Sequence, residues 1–301
     1  MSSEVHIGLV VRGHGRHYVV EREDGTRLNC LTRGKKSEAV VGDRVRWARS
    51  SEHEGVIEGL QPRRNLLYRQ DEWKTKSFAA NLDQLLILVA ADPVFSESQL
   101  TRALIAADSA GIDARIVLNK TDLPGAAAAR QRLEPYRDMG HEVLELSLKA
   151  QPQASRDVLQ PYLQDRATLV LGPSGTGKST LINLLIPDAQ AQVGEISVAL
   201  NSGRHTTTTT QWYWLDAARR SALIDSPGFQ EFGIRQIGAA ELASRMADFR
   251  PLLGQCRFAN CSHRHEPGCR VLDAVQSGVI SASRYRIYDE LWQELNSTPH
   301  W

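Results

Sequence analysis

The chain has 301 residues, and its 36 Lys and Arg nearly balance its 35 Asp and Glu, leaving a formal net charge of +1. This length allows two or three domains, and the balance excludes a polycation that binds nucleic acid over its whole surface. The longest apolar run, residues 85–91, is too short to cross a bilayer. No signal-peptide pattern opens the sequence, so we expect a cytoplasmic protein with no membrane partner.

Residues 5–70 are predicted to form short strands separated by turn residues. Asp24-Gly25 stands between two strand-like runs, which is a hairpin signal. The strand-like runs include 17–21, 26–30, 44–47 and 55–60. Five short strands in this length predict a small β-barrel of OB-fold size, to which we assign residues 1–72. The first 70 residues contain 13 Lys and Arg against 9 Asp and Glu, a net charge of +4.

Apolar runs then alternate with helical stretches, and we assign residues 73–235 to this pattern. The predicted strands are 85–90, 114–118, 143–146, 168–171 and 222–224. The predicted helices are 97–110, 126–139 and 179–185. The strand runs are almost continuously apolar, as expected for strands covered on both faces. The alternation therefore predicts a doubly wound α/β sheet.

Residues 236–301 are predicted to form a helical domain with a Cys/His-rich insertion. The predicted helices are 239–249, 272–277 and 281–295, and the candidate metal ligands are Cys256, Cys261, His263 and Cys269. Three thiolates and one imidazole within fourteen residues suit one structural Zn²⁺, and a reducing cytosol favours metal over disulfides. His265 is the alternative fourth ligand. The remote Cys30 is predicted to be a small buried residue.

A phosphate-binding loop follows the predicted strand 168–171. Its residues are Gly172, Pro173, Ser174, Gly175, Thr176, Gly177, Lys178, Ser179 and Thr180, which match G-x-x-x-x-G-K-[ST]. Such a loop presents backbone N–H groups to a phosphate chain at a helix N-terminus. We expect Lys178 to reach the β- and γ-phosphates and Ser179 to coordinate Mg²⁺. The loop alone also fits a nucleoside monophosphate kinase or a transporter ATPase, so it does not identify the base.

The base is indicated by the segment Asn119, Lys120, Thr121 and Asp122, which follows the predicted strand 114–118 and resembles the N-K-x-D motif of GTPases. The Asp122 carboxylate can accept hydrogen bonds from guanine N1–H and the exocyclic amine, a donor pair that adenine lacks. Asn119 can brace the surrounding loops, and the stem of Lys120 can lie on the base. Ser147 begins a Ser-Leu-Lys segment that is similar to the S-A-K loop supporting guanine O6.

Two further segments are candidates for the switch regions. Asp225-Ser226-Pro227-Gly228 matches D-x-x-G, in which Asp225 holds Mg²⁺ through water and the Gly228 N–H meets the γ-phosphate. Residues 203–208 lie where switch I is expected, and we favour Thr207 over Thr206 as the threonine that completes the Mg²⁺ shell.

Hydrolysis also requires a group that orients water. The position after D-x-x-G, where Ras-like proteins carry glutamine, is Phe229, which cannot do this. His205 in the predicted switch I is the nearest candidate, because a neutral imidazole can accept a hydrogen bond or a proton from water.

The order of these motifs is permuted relative to Ras-like GTPases, since N-K-x-D and Ser-Leu-Lys precede the P-loop. With the small barrel, Gly-Arg-His-Thr-Thr-Thr, Asp-Ser-Pro-Gly-Phe-x-Glu-Phe-Gly and C-x₄-C-x-H-x₅-C, the sequence resembles the ribosome small-subunit-dependent GTPase (RsgA) family. The resemblance implies an OB-fold domain, a circularly permuted GTPase domain and a zinc domain. It implies GTP and GDP as ligands with Mg²⁺, the small ribosomal subunit and its rRNA as partners, late subunit maturation near the decoding centre, and subunit-stimulated hydrolysis. It also implies a catalytic His205 and the four zinc ligands above, and we expect a monomer.

Two other hypotheses remain open at this point. A nucleotide kinase explains the P-loop but not the segment at 119–122, and a zinc-stabilised RNA-binding module with a vestigial GTPase explains neither Lys178 nor Asp225. The basic residues that could track RNA phosphates are Arg12, Arg16, Lys35, Lys36, Arg44 and Arg46. Because a solvated surface has the same composition, the RNA expectation depends mainly on the resemblance. The permutation also predicts that switch II passes directly into the zinc domain, so that nucleotide state could move it.

Overall fold

The structure is a computed structural model that describes residues 5–33, 39–51, 53–70, 75–187, 210–226, 234 and 237–297. Across these residues, none of the helices is both long enough and apolar enough to cross a membrane. His205, Thr207 and Gly228 lie outside the described residues.

The N-terminal region is a closed five-stranded barrel, which confirms the predicted barrel. Its strands are β1 (Val5–His14), β2 (His17–Glu21), β3 (Arg27–Thr32), β4 (Arg44–Arg49) and β5 (Glu54–Leu60). They follow the order β1-β2-β3-β5-β4, and β4 closes on β1. The interior contains Val10, Val20 and Trp47 together with Cys30. Burial raises the pKa of the Cys30 thiol to about 12, consistent with the small buried residue that we expected.

The central region is an α/β sheet, also as predicted. Its strands are β8 (Gln84–Ala90), β9 (Asp113–Asn119), β10 (Val143–Glu145), β11 (Ala167–Leu171), β12 (Gln211–Trp214) and β13 (Ala222–Asp225), in the order β10-β9-β8-β11-β13-β12. All neighbours are parallel except β12, which is antiparallel to β13. The helices are α1 (Glu97–Ala110), α2 (Ala126–Asp138), α3 (Pro152–Leu163) and α4 (Lys178–Leu185).

Alternate residues of β8 enter two different cores, which explains why its sequence is apolar throughout. Leu85 and Ile87 pack in the core that contains residues of α1 and α2, whereas Leu86 and Leu88 pack in the core that contains residues of α3 and α4. A strand covered on both faces has no polar side to expose. Because β9, β8, β11 and β13 are parallel, the carboxyl ends of β9, β11 and β13 lie at the same edge of this sheet.

Helix α3 and strand β12 were not predicted from the sequence. The buried residues of α3 are Ser155, Leu159 and Leu163, a spacing of four that is typical of a helix face. Strand β12 has only four residues, and the hydrogen-bond partner of Trp214, Glu21, lies 193 positions away in the chain.

The barrel and the sheet are joined through hydrogen-bonded strands. Strand β12 pairs with β13 on one side and with barrel strand β1 on the other, so the two regions form one 11-stranded sheet. A separate antiparallel pair, β6 (Leu66–Gln70) and β7 (Thr75–Ala80), spans the predicted domain boundary after residue 72.

The C-terminal region is helical, with α5 (Ala239–Arg245), a 3₁₀ turn (Arg250–Leu252), α6 (Arg270–Gln276) and α7 (Ala282–Asn296). The predicted helix over 239–249 ends earlier, at Arg245. The chain then turns so that Met246 and Phe249 both enter the core while Asp248 pairs with Arg284 of α7.

This region packs on helix α1 of the central sheet through a buried arginine. Arg284 donates from Nη1 to Thr101 Oγ1 at 2.6 Å and from Nε and Nη2 to the Asp248 carboxylate at 2.9 and 3.0 Å. Loss of either charge would leave the other buried and unpaired, at a cost of about 3–5 kcal/mol. Arg102 of α1 also pairs with Glu294 of α7. These contacts hold the C-terminal helices against α1.

Candidate nucleotide site and metal centre

The glycine-rich loop connects β11 to α4, at the carboxyl edge of the sheet. Gly172 and Gly177 have φ values of +154° and +108°, which L-residues with side chains rarely adopt. A Cβ at Gly172 would lie 2.5 Å from Leu88 O, and one at Gly177 would lie 2.3 Å from Asn119 Nδ2. Glycine at both positions therefore allows the loop to pass close to the neighbouring strand ends, with Ser174, Gly175 and Ser179 exposed.

Asn119 connects this loop to the loop after β10. Its Nδ2 donates to Thr176 O at 2.8 Å, and its Oδ1 accepts from Leu148 N at 3.1 Å. The side chain is only 3% exposed, so both bonds are shielded from water and hold three loops at fixed separations. This is the bracing position that the sequence predicted for Asn119.

Lys120 and Asp122 follow at the same edge of the sheet. Lys120 has φ +62°, a left-handed conformation that is uncommon outside glycine, and its Nζ donates to Asp92 O at 2.5 Å. Asp122 is exposed. The strained backbone at Lys120 is of the kind that clusters at ligand-binding loops.

Thr121 joins the same segment to Ser147. Thr121 N and Oγ1 both donate to Leu146 O at 3.1 Å, and Thr121 Oγ1 lies 2.9 Å from Ser147 Oγ. The Ser147 N–H in turn donates to Ser155 Oγ of α3 at 3.3 Å. The two segments that the sequence assigned to guanine recognition are thus in direct contact.

Lys178 and Asp225 lie near the glycine-rich loop at this edge. Lys178 Nζ donates to Gly172 O at 2.5 Å and to Pro173 O at 3.0 Å. Burial lowers the pKa of Lys178, and the negative charge of Asp225 opposes that shift. Asp225 ends β13 in register with Val170 of β11, and Ser226 Oγ donates to Val170 O at 2.9 Å.

The structure thus brings together all the predicted nucleotide-site residues that it describes. These are Asn119, Lys120, Thr121, Asp122, Ser147, Gly172, Pro173, Ser174, Gly175, Thr176, Gly177, Lys178, Ser179, Thr180 and Asp225. They gather at one edge because parallel strands end on the same side of a sheet. The placement of His205, Thr207 and Gly228 is outside the described residues.

Four predicted metal ligands converge in the C-terminal region. The ligand atoms of Cys256, Cys261, His263 and Cys269 all lie within 4.8 Å of one another. Cys256 Sγ is 3.9 Å from Cys269 Sγ, and His263 Nδ1 is 3.5 Å from Cys256 Sγ and 3.4 Å from Cys269 Sγ. A tetrahedron with Zn–S bonds of about 2.3 Å has S···S edges of about 3.8 Å. These residues therefore fit one zinc ion, whereas His265 is exposed and outside the cluster.

The loop that contains His263 is held by hydrogen bonds from outside the ligand set. The Glu266 carboxylate accepts from Ser262 N at 2.7 Å and from Arg264 N at 3.1 Å. Tyr285 Oη of α7 donates to His263 O at 3.0 Å, and Tyr288 Oη donates to Ser262 O at 2.8 Å. His263 itself has φ +60°. Orientation by such outer contacts is typical of metal ligands.

Sequence reasoning missed the residues that join the regions, above all Arg284 at α1 and Glu21 beside Trp214. Glu21 is 5% exposed and accepts from Trp214 Nε1 at 2.6 Å. The available signal was Glu21 itself, a charged residue at the end of the apolar strand β2. A carboxylate buried there requires hydrogen-bond or ion-pair partners. The identity of those partners was not visible, since nearly 200 residues separate Glu21 from Trp214.

Chain order distinguishes this sheet from that of a Ras-like protein. Strands β9 and β10, whose loops carry Asn119 and Ser147, precede β11 and its P-loop, although all three end at the same edge. The fold is therefore that of a circularly permuted P-loop GTPase. The family model for the RsgA GTPase matches residues 60–235, and the chain belongs to the RsgA GTPase family.

Similar proteins cover nearly the whole chain. The small ribosomal subunit biogenesis GTPase RsgA of Variovorax paradoxus (strain S110) is 58% identical, over 98% of this chain and 94% of that protein. The protein of the same name from Paraburkholderia phymatum is 54% identical, over 95% of this chain and 91% of its own length.

Two solved structures share the architecture. YjeQ from Thermotoga maritima has a TM-score of 0.73 and 29% identity, covering 98% of this chain and 100% of that chain. YloQ, described as a circularly permuted GTPase, has a TM-score of 0.70 and 26% identity, covering 99% and 98%.

Proposed function

We propose that this protein hydrolyses GTP to GDP and phosphate as a late maturation factor of the small ribosomal subunit. In this proposal it binds the subunit's rRNA as a cytoplasmic monomer and leaves after hydrolysis that the subunit stimulates. The observation that carries the GTPase part is the Asn119 bridge between the P-loop and the Ser147 loop. It holds the phosphate-binding and guanine-binding segments in one site. The subunit as partner is supported by the near full-length similarity to proteins named for its biogenesis.

Each residue of the nucleotide site then has a chemical task. Backbone N–H groups of the P-loop and the Lys178 ammonium bind the phosphates, and the Asp122 carboxylate accepts from the guanine edge. Ser179 and Asp225 would hold Mg²⁺ with Thr207, and the ion would neutralise charge that develops on the phosphates. Gly228 N–H would meet the γ-phosphate. Lys178 presently donates to P-loop carbonyls, and phosphate oxygens would replace them as acceptors.

RNA binding is assigned to the barrel and the zinc domain. Arg16, Arg44 and Arg46 are exposed on the barrel, where guanidinium groups can contact phosphates. The Cys₃His cluster would hold one structural Zn²⁺ with all four positions filled by protein, leaving no open site for catalysis. Folding of the loop around it would then be coupled to zinc binding.

The function is tested by measuring GTP turnover with and without purified small subunits. We expect slow intrinsic turnover and a large increase in kcat with subunits, because a factor released by hydrolysis should hydrolyse only when bound. Large subunits at the same concentration are the control. Equal rates in the presence and absence of small subunits would refute the proposal, and transfer of phosphate to a nucleoside monophosphate would indicate a kinase instead.

His205→Ala is expected to retain GTP binding and to lose hydrolysis. The imidazole would orient the attacking water, and removal of a general base or water-orienting group typically costs about 10²–10⁴-fold in rate. Single-turnover hydrolysis on the subunit measures the loss, and a fluorescent GTP analogue measures binding. His141→Ala in the loop after α2 is the matched control. An unchanged kcat for His205→Ala would remove His205 from this role.

A further inference from the structure

Strand β12 lies between the barrel and the strand that ends at Asp225. Arg12 of β1 pairs with Gln211 of β12, and Gln211 pairs with Asp225 of β13. Paired residues on adjacent antiparallel strands point to the same face of the sheet. The three residues thus form one row that runs from the barrel to the nucleotide site.

The row faces the helix that begins at the P-loop. Tyr213 and Leu223, two residues further along β12 and β13, pack in the same core as Leu181 of α4. Because alternate residues of a strand share a face, Gln211 and Asp225 also point to the side of α4. Arg12 shares that face through its pairing with Gln211.

Arg12 differs from the exposed arginines of the barrel. It is partly buried, and its Nη1 is fully buried without a hydrogen bond within the described part of the chain. Buried N–H groups without partners are rare and require an explanation. The pKa of Tyr213 is raised to about 12, chiefly by burial; the negative charge of Asp225 contributes to the rise, and the guanidinium groups of Arg12 and Arg27 oppose it. Arg12 and Asp225 therefore act electrostatically on the same phenol.

The other end of β12 is fixed to the barrel by a second contact. Trp214 Nε1 donates to Glu21 Oε1 at 2.6 Å, and Arg27 Nε donates to Glu21 Oε2 at 2.8 Å. Because Glu21 is buried, the charge-assisted hydrogen bond from Trp214 to its carboxylate is protected from competing water. Strand β12 is thus held by the barrel at both of its ends.

We propose that the barrel is a positioning element of the GTPase reaction and that Arg12 is its positioning residue, acting through Gln211 on the Asp225 carboxylate. The proposal rests on the proposed function, because it takes Asp225 as the carboxylate on the magnesium side of the site. Binding of the barrel to rRNA then changes the alignment of Asp225 through a row of three residues. This role differs from the one expected from the sequence, in which Arg12 was grouped with the arginines that could contact RNA phosphates.

The test compares kcat, KM for GTP and subunit affinity for Arg12→Ala, Arg12→Lys and the control Arg49→Ala. Arg49 is an exposed arginine at the end of β4. We expect Arg12→Ala to lower the subunit-stimulated kcat by about tenfold or more, as small misplacements of reacting groups do. KM for GTP should change little, Arg12→Lys should recover part of the rate, and Arg49→Ala should retain it. Weaker subunit binding with an unchanged kcat would overturn the proposal, because Arg12 would then be an RNA contact only.

A second variant tests the other end of β12. Trp214→Phe removes the donor to Glu21 but keeps an aromatic ring, and we expect a lower stimulated kcat. Trp47→Phe is the control, because Trp47 Nε1 in the barrel core has no hydrogen-bond partner among the described residues. A wild-type kcat for Trp214→Phe would contradict the proposal. If the wild-type chain showed no response to subunits, the proposed function would fail by itself, and the intrinsic kcat of Arg12→Ala would still decide the role of Arg12.

Discussion

Asp122→Asn is expected to change the base preference of this protein from guanine to xanthine. In the proposed site the Asp122 carboxylate accepts from two guanine N–H groups, whereas an asparagine amide would present one acceptor and one donor to them. Loss of a charged acceptor and gain of a mismatched donor should weaken GTP binding by about 100-fold or more. Xanthine, which carries a carbonyl where guanine carries the amine, should bind the variant better than guanine does. Competition between GTP and XTP for a fluorescent nucleotide measures both affinities.

The matched control for this variant lies at the other end of the same strand. Asp113 begins β9, at the edge opposite the site, and its side chain is 70% exposed. Asp113→Asn makes the same chemical change and should leave both affinities unchanged. If Asp122→Asn bound GTP as tightly as the wild-type protein, the guanine role of Asp122 would be wrong, whatever the affinity for XTP.

Cys269→Ala is expected to remove bound zinc and to unfold the region around α6. Cys269 is 1% exposed and lies at the N-terminal cap of α6, so the ligand and the helix start are the same residue. Structural zinc contributes apparent binding free energies of about 10–16 kcal/mol in zinc-finger peptides at neutral pH. Metal analysis should show zinc falling from about one per chain to near zero. A strong chelator should have the same effect on the wild-type protein.

Cys30→Ala is the matched control, because Cys30 is the cysteine outside the cluster. It should retain zinc and the folded C-terminal region. Nucleotide binding should survive in Cys269→Ala, since β11 and α4, which flank the P-loop, pack in a different core from the C-terminal region. Full zinc content in Cys269→Ala would contradict the assigned ligand set, and loss of GTP binding would show that the two cores depend on each other.

The C-terminal region has a contact route to the site besides the expected one through switch II. Arg284 and Arg102–Glu294 attach the region to α1. The loop just before α1 contains Asp92, whose carbonyl accepts from Lys120. A movement of α1 would therefore change the position of Lys120, which belongs to the segment that we propose binds guanine. The coupling through switch II remains a prediction, because Gly228 lies outside the described residues.

The sequence by itself determined the elements that local patterns encode. The strands before Asn119 and the P-loop were visible because residues buried on both faces must be apolar, and the P-loop because its glycines occupy backbone conformations closed to other residues. The four metal ligands were visible because three cysteines occur within fourteen residues. The shared edge of the parallel sheet then follows, since loops at the carboxyl ends of such strands converge.

Only the tertiary structure decided how the three regions are joined. The pairing of Arg12 with Gln211, the Glu21–Trp214 hydrogen bond and the Arg284–Thr101 contact each connect residues more than 180 positions apart. Local periodicity contains no information about such partners, because it reports only whether a residue is buried and on which face. Strand β12 was missed for the same reason, since its four residues are stabilised by strands on both sides rather than by their own pattern. The motifs of the site are thus encoded locally in the sequence, whereas the contacts that join the barrel and the C-terminal region to the central sheet are not.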